Sequence, residues 1–222
     1  MFHKKRGVRN RKRSSPHHNS SHFIKKIKLL IYNIFIGNRI QKSKGTHWNE
    51  ILDGKRVWFI SDMHFDHENI IKWCRSGSFK NIKQCNGRII QNWNYHVGTY
   101  DRVYCLGDVG NFHLLKKLKG KITIAKGNHD GRQWDTQYIL EYRGLKFLVL
   151  HDPDDSDHND TSWFDGDWII HGHTHINSPF IDIRRKRVNV SCEVINYSPI
   201  CMEDIYSIIQ ESNNYNGNRD VL

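Results

Sequence analysis

The sequence predicts an α/β fold, and three features of residues 49–222 support this class. Five short apolar runs have the length and the β-branched content of buried strands. Stretches of helical pattern separate several of these runs, as they do in folds with parallel strands. Each of the five runs ends in a cluster of polar residues, and an open α/β sheet binds its ligand at such strand ends. The predicted fold class therefore also predicts where the functional site lies.

The strands are predicted in chain order from apolar content and flanking turn residues. They are RVWFIS at 56–61, RVYCLG at 102–107, KITIAKG at 121–127, KFLVLH at 146–151 and DWIIHG at 167–172. A sixth run, RVNVSCEV at 187–194, alternates apolar and polar residues and predicts a strand with one wetter face. The predicted helices are residues 80–97, 111–118 and 202–211. A chain of 222 residues has room for one well-buried domain, predicted at 49–222, plus an appendage.

Residues 1–48 form this appendage and carry the excess of positive charge. They contain 13 Lys or Arg and no Asp or Glu, whereas residues 49–222 carry 21 basic and 23 acidic residues. The first 22 residues have almost no large apolar side chains, so we expect them to be disordered. Residues 23–36, FIKKIKLLIYNIFI, predict a short basic amphipathic helix. This run is shorter than the roughly 20 apolar residues that a transmembrane helix needs, so no transmembrane segment is predicted.

The charge of residues 1–48 favours a polyanionic partner, either nucleic acid or an anionic membrane surface. Three alternatives stay open, namely a solubilising tail, an organellar presequence, and a helix at 23–36 that packs against the body. The 5 cysteines are odd in number and include no close C-x-x-C pair. This usage favours reduced thiols and a cytoplasmic location.

Three of the polar clusters combine a carboxylate with imidazole, amide or glycine neighbours. DMH at 62–64 follows the first strand, and its carboxylate and imidazole can converge on one ion because residues i and i+2 of an extended segment point to one side. GD at 107–108 follows the second strand, and GNHD at 127–130 follows the third. A glycine beside a carboxylate allows close backbone approach to a ligand. Taken singly, each of these patterns also occurs in ordinary turns.

The last two polar clusters are rich in histidine. His151 follows the fourth strand, and HGHTH at 171–175 follows the fifth. Imidazoles placed this close together repel one another when they are protonated, and bound cations keep them neutral. The histidines therefore predict a metal site at this edge of the fold.

The order D-x-H, GD, GNHD, H and GHxH over about residues 56–200 resembles that of the calcineurin-like metallophosphoesterase superfamily. Within it, FISDMHFDHENII, NWN at 92–94 and NVSCEVINYSP at 189–199 resemble a small group of phage and bacterial phosphoesterases. Asp66 stands where that group usually has a glycine. The resemblance implies a β-sandwich flanked by helices, with two divalent metal ions in the active site.

The resemblance also implies a role for each motif residue. The metal ligands that it implies are Asp62, His64 and His175 for the first ion, Asn128, His151 and His173 for the second, and Asp108 as the bridge. His129 would act as general acid or electrostatic stabiliser, oriented by Asp130. Nitrogen and oxygen ligands suit Mn, Fe, Zn, Co or Ni, and the family points to Mn.

The implied function is hydrolysis of phosphate esters by a metal-bridged hydroxide. Asp130 favours phosphodiesters of nucleotides or nucleic acid, because phosphomonoesterase relatives tend to have Glu at its position. A phosphomonoesterase or nucleotidase is the alternative within the family. A noncatalytic scaffold with the same fold is the alternative from another class, and the complete set of metal-site residues argues against it.

Overall fold

The computed structural model describes residues 56–131, 137–155 and 161–217, and its strands form two sheets. The first sheet has the strand order β3-β2-β1-β9 and the second has the order β4-β5-β6-β8-β7. The strands of the first sheet are β1 (Val57–Ile60), β2 (Arg102–Cys105), β3 (Lys121–Ile124) and β9 (Ile200–Cys201). Those of the second are β4 (Gln137–Tyr142), β5 (Leu145–Leu150), β6 (Trp168–His171), β7 (Ile181–Asp182) and β8 (Arg187–Asn189).

Each sheet has a parallel core with an antiparallel strand at an edge. In the first sheet β1, β2 and β3 are parallel and β9 is antiparallel to β1. In the second sheet β5, β6 and β8 are parallel, while β4 and β7 are antiparallel to their neighbours. Parallel strands end at the same edge of a sheet, so the residues that follow them are brought together.

The two sheets pack on each other. The Tyr138 hydroxyl of β4 donates to the Ile124 carbonyl of β3 over 3.0 Å, and its ring centroid lies 5.6 Å from that of Tyr104 in β2. Beyond the ends of β1 and β8 the backbones meet, because Ser61 N–H donates to Val190 C=O over 2.9 Å. The strand ends of both sheets therefore border one site.

Among the described residues, three α-helices lie beside the sheets: α1 (Asn69–Trp73), α2 (Ile82–His96) and α3 (Met202–Gly217). The Asn81 side chain caps α2 by accepting from Gln84 N–H over 2.9 Å. Buried Ile82, Ile89 and Trp93 recur at near-helical spacing, so one face of α2 packs into the core. Short 3-10 helices span Phe112–Lys117 and His175–Asn177.

The predicted fold class is confirmed, with corrections to single elements. All six predicted strands are present, although each ends one to five residues before its predicted end. The predicted helix at 111–118 is a 3-10 helix that starts directly after Gly110 (φ 81°), with the Asn111 side chain accepting from His113 N–H over 3.0 Å. Strands β4, β7 and β9 and helix α1 were not predicted.

The predictions for residues 1–48, including disorder and an amphipathic helix at 23–36, lie outside the described residues. Within the described part of the chain, no helix combines the length and the apolarity of a membrane span. The 5 cysteines are free thiols in the structure.

Candidate metal centre

Five of the predicted metal ligands have a left-handed backbone conformation. This conformation is unfavourable for residues other than glycine and costs on the order of 1–3 kcal/mol per residue. The five are Asp62 (φ 57°), His64 (φ 47°), Asp108 (φ 51°), His173 (φ 65°) and His175 (φ 46°). Backbone strain of this kind is concentrated at functional sites, where the surrounding structure enforces it.

Backbone hydrogen bonds between the loops that follow β1 and β2 hold this geometry. Asp62 N–H donates to Gly107 C=O over 3.1 Å, and His64 N–H donates to Asp108 C=O over 2.9 Å. The HGHTH segment joins them, because His173 N–H donates to Asp62 Oδ2 over 2.9 Å. Gly172 is required at this contact, since a Cβ atom there would lie 2.5 Å from Asp62 Oδ2.

The first cluster of candidate ligands consists of Asp62, His64 and His175, whose ligand atoms all lie within 4.8 Å of one another. His175 Nε2 is 3.7 Å from Asp62 Oδ1, and the His64 and His175 rings stack with centroids 5.4 Å apart. Asp62 and His64 are buried. A carboxylate and two imidazoles at this spacing form a ligand set that suits a transition metal ion.

The second cluster consists of Asp62, Asp108 and His151, again with all ligand atoms within 4.8 Å. Asp108 Oδ2 lies 3.5 Å from His151 Nε2 and 3.6 Å from His64 Nε2, so one carboxylate oxygen contacts both clusters. His173 Nδ1 is 3.3 Å from His151 Nε2, which places its imidazole on the same side. The structure therefore brings six of the seven predicted ligands together.

Two buried atoms of the site show that its residues fit a metal ion. Asp62 Oδ1 and His64 Nε2 are buried and have no hydrogen-bond partner, a costly state for polar atoms in a folded protein. Burial also lowers the pKa of His64 from 6.5 to about 3, against the opposing effect of the Asp108 carboxylate. His64 is therefore a neutral imidazole at physiological pH, the form that coordinates metals.

Hydrogen bonds donated by Nδ1–H orient two of the candidate histidine ligands. His151 Nδ1–H donates to the Leu106 carbonyl over 2.6 Å, and His175 Nδ1–H donates to Glu193 Oε2 over 3.0 Å. Burial alone would lower the pKa of His175, but the hydrogen bond to Glu193 and the charge of Asp62 together raise it. Both contacts leave Nε2 facing the carboxylates, an arrangement that fixes metal-binding histidines.

Arg75 and Glu193 support the first cluster, and neither was predicted as a functional residue. Arg75 is fully buried and donates from Nε to Glu193 Oε1 over 2.7 Å. Its Nη1 donates to Met63 C=O over 3.0 Å, and its Nη2 donates to Asp62 C=O. One guanidinium thus fixes the backbone of the DMH motif and the carboxylate that orients His175. The only sequence signal was the position of Glu193 inside NVSCEVINYSP.

Asp130 holds the backbone around Asp108. Its two oxygens accept from Asp108 N–H over 2.8 Å, Val109 N–H over 3.1 Å and Gly127 N–H over 3.0 Å. His129 contributes its own N–H, which donates to Asp108 Oδ1 over 2.9 Å. These contacts give Asp130 a role in placing Asp108, and its orientation of the His129 imidazole stays a prediction.

Asn128 and His129 lie on the open side of the site, and both are exposed. The His129 ring centroid is 5.6 Å from that of His64. Asn128, the seventh predicted ligand, belongs to the same turn as His129.

Asp66, near the site, adopts a left-handed φ of 61°, which explains why related proteins usually have a glycine at this position. Its carboxylate accepts hydrogen bonds from the Asn86 and Asn111 side chains over 2.6 Å each.

The fold and this cluster of aspartates and histidines define a metal-dependent phosphoesterase scaffold, and comparisons with known proteins agree. The model of the calcineurin-like phosphoesterase superfamily domain matches residues 56–195. The chain belongs to this superfamily, which confirms the resemblance of its motifs and makes it a phosphoesterase-family domain with candidate metal ligands.

Individual relatives cover most of the same region. A protein of Methanocaldococcus jannaschii described as uncharacterized is 42% identical over 169 residues, which are 71% of this chain and 93% of the relative. The Gene 66 protein of Mycobacterium phage L5 is 24% identical over 198 residues, 69% of this chain and 93% of its own. The crystal structure of a protein of unknown function from Aquifex aeolicus is 26% identical, with a TM-score of 0.58. It covers 70% of this chain and 100% of that one.

Proposed function

We propose that this protein is a phosphodiesterase that hydrolyses nucleotide or nucleic-acid diesters with two divalent metal ions, for which Mn is the family-based choice. The observation that carries the proposal is the position of Asp108. Its Oδ2 lies within 3.6 Å of His64 Nε2 and 3.5 Å of His151 Nε2, so it can serve two neighbouring ions. The family membership supports the reaction class, a hydrolase acting on phosphate esters.

The proposed ligand allocation is the one that the family resemblance implies, and the first cluster supports its first half. The first ion would be held by Asp62, His64 and His175, the second by Asn128, His151 and His173, and Asp108 would contact both. Two divalent ions, when bound, would acidify a water molecule and neutralise the charge on the attacking and leaving oxygens of the phosphate. Asp62 and Asp108 contribute two negative charges against four positive ones, so the loaded site stays attractive to phosphate.

His129 is the proposed general acid. Its exposed ring stands beside His64 at the open face of the site, while its backbone N–H is fixed on Asp108. From this position the imidazolium could give its proton to the departing alkoxide. Asp130 acts indirectly, since its carboxylate holds the turn that carries His129 and the backbone of Asp108.

Replacing His129 by Ala is expected to lower kcat by about 10²- to 10⁴-fold, the range for loss of a general acid, while bound metal is retained. The loss should be smaller for a nitrophenyl ester, because nitrophenolate leaves without needing a proton. Rates for good and poor leaving groups, together with metal content, check this. His113→Ala, which removes an exposed histidine of the 3-10 helix, is the control. Equal losses for both leaving groups would assign His129 to the phosphoryl oxygens instead.

The reaction itself is tested with purified protein supplied with Mn²⁺ and, separately, treated with chelator. Cyclic nucleotides, dinucleotides, single-stranded nucleic acid and simple monoesters form the substrate panel. We expect metal-dependent turnover that is faster for diesters than for monoesters. Faster monoester turnover would establish the phosphomonoesterase alternative, and metal binding without turnover of any ester would establish the noncatalytic scaffold.

We also propose that the protein is cytoplasmic and that residues 1–48 tether it to a polyanion. This polyanion is either nucleic acid or an anionic membrane surface. The support is the charge of residues 1–48, 13 basic residues without one acidic residue, next to a body that carries slightly more acidic than basic residues. The free thiols support a reducing compartment.

Deleting residues 1–48 is expected to leave turnover of a small diester nearly unchanged, because every proposed ligand lies at or after Asp62. Binding to polyanions should weaken strongly. Each phosphate contact contributes about 0.7 to 0.9 to the slope of log affinity against log salt, so the slope should flatten by several units. Binding of both proteins to nucleic acid and to liposomes with and without anionic lipid measures this. Identical salt-dependent binding by both proteins would refute the tether.

A further inference from the structure

An exposed tryptophan stands beside the candidate metal centre. Trp73 is the last residue of α1, and 65% of its surface is exposed. Ile70 is the residue of α1 that is buried in the core. An indole offers one of the largest apolar faces of any side chain, and here most of that face is left in solvent. The packing of α1 therefore does not account for a tryptophan at this position.

A chain of ring contacts links Trp73 to the proposed catalytic residues. The indole lies edge-to-face on His67, with centroids 5.4 Å apart and an angle of 85° between the planes. His67 in turn lies 5.4 Å from His64 and 6.2 Å from His129. The two contacts of 5.4 Å place the indole within about 11 Å of the His64 ring. A phosphate ester held at the metal centre would therefore have Trp73 within reach of its nearest substituent.

We propose that Trp73 is the stacking platform for a nucleobase next to the scissile phosphate, so that the substrates are nucleotides or single-stranded nucleic acid. Exposed aromatic rings beside a phosphate-binding site are the means by which proteins hold unpaired bases, and every base has a face that can stack. Lys72 is exposed at the preceding position and adds a positive charge that suits a flanking phosphate. The inference rests on the proposed phosphodiesterase function and specifies its substrate class.

Tyr95 provides a matched control, because it is equally exposed but lies at the other end of the sheet. Its exposed fraction is 73%. Its ring packs on His96, whose own ring is 6.0 Å from Trp58 near the start of β1. The metal centre follows the opposite end of β1, so a substitution of Tyr95 removes an exposed aromatic ring without touching the site.

The test compares two diesters that release the same nitrophenolate, one carrying thymidine on the phosphate and the other carrying only a methyl group. Trp73→Ala should lower kcat/KM for the thymidine ester by about 5- to 100-fold, the usual effect of removing a stacking ring. The methyl ester should react at the wild-type rate. Trp73→Phe should keep most of the activity towards the thymidine ester, and Tyr95→Ala should change neither substrate.

Equal losses for the two esters would overturn the proposal, because Trp73 would then only support His67 and the loop around it. No loss for either ester would also overturn it. Binding gives a readout that needs no turnover: Trp73→Ala should weaken the binding of thymidine monophosphate and leave that of inorganic phosphate unchanged. If wild type turns over no ester, the phosphodiesterase function fails, and this binding comparison still decides for or against the stacking platform.

Discussion

Asp108→Asn is expected to abolish turnover of every phosphate ester and to reduce the bound metal. One oxygen of the Asp108 carboxylate contacts a histidine of each ligand cluster, at 3.5 Å from His151 and 3.6 Å from His64. An amide removes one negative charge, and if its oxygen keeps the hydrogen bond from His129 N–H, its N–H₂ group faces both imidazoles. Changing a residue that merely orients a ligand costs about 10- to 100-fold in metal affinity, so losing the shared ligand should cost more.

Metal content and turnover with added Mn²⁺ measure this effect, and Asp101→Asn is the matched control. The Asp101 carboxylate accepts hydrogen bonds from Trp58 Nε1 and Gly98 N–H, both over 2.9 Å, just before β2 and away from the metal centre. Its amide variant should therefore lose some stability and keep its metal. An Asp108→Asn protein that binds two ions and turns over normally would show that Asp108 is not the bridge.

The parallel strands and the residues that follow them could be predicted from sequence because each is a local pattern. A buried strand such as VWFI in β1 is recognisable as a short apolar run, and a ligand directly after it follows from the topology. The predicted ends are too late at β1 and β2, where the chain turns into left-handed conformations at Asp62, Gly107 and Asp108. That conformation is held by contacts between loops, and the weak preference of Asp and His for it does not mark these positions in the sequence.

Strand β4 was missed because its burial is partial and its pairing depends on a turn. Its residues, QYILEY, are all half-buried or exposed, so the strand is not one of the fully buried runs that the sequence reading identifies. The turn to β5 is formed by Arg143 (φ 48°) and Gly144 (φ 80°), the two positive φ angles of a tight hairpin. The dipeptide Arg-Gly is a weaker hairpin signal than Asn-Gly, so the sequence does not predict the hairpin of β4 and β5.

The residues that position the ligands were harder to predict than the ligands themselves. Glu193 and His175 are 18 positions apart, and Arg75 and Glu193 are 118 positions apart. No periodicity connects such pairs, and a lone arginine in a sequence reads as a surface residue because arginine is rarely fully buried. Only the tertiary structure shows that a buried ion pair lies behind the first ligand cluster.

Arg75→Met is expected to destabilise the fold by about 3–5 kcal/mol, the cost of leaving one partner of a buried ion pair without the other. Glu193 would stay buried with His175 as its remaining partner, and the carbonyls of Asp62 and Met63 would lose their hydrogen-bond donor.

The loss of stability should depend on pH. The pKa of Glu193 is raised by burial but lowered overall by its hydrogen bonds and by the charge of Arg75. A depressed carboxyl pKa stabilises the fold above the ordinary pKa of glutamate, and this contribution is lost as the pH falls. The gap between wild type and Arg75→Met should therefore narrow in acid.

Denaturant unfolding of the metal-free proteins measures the loss, and Arg185→Met is the control. Arg185 pairs with Asp182 over 3.6 Å at an exposed position, and such pairs are worth about 0–1 kcal/mol.

The double variant Arg75→Met/Glu193→Leu separates the stabilising role of this ion pair from its role in positioning His175, because an apolar pair can replace a buried ion pair at little cost in stability. We expect it to recover part of the stability while its metal affinity stays about 10- to 100-fold below wild type, since His175 still lacks its Nδ1 acceptor. Wild-type metal affinity in the double variant would show that Arg75 and Glu193 stabilise the fold without positioning His175.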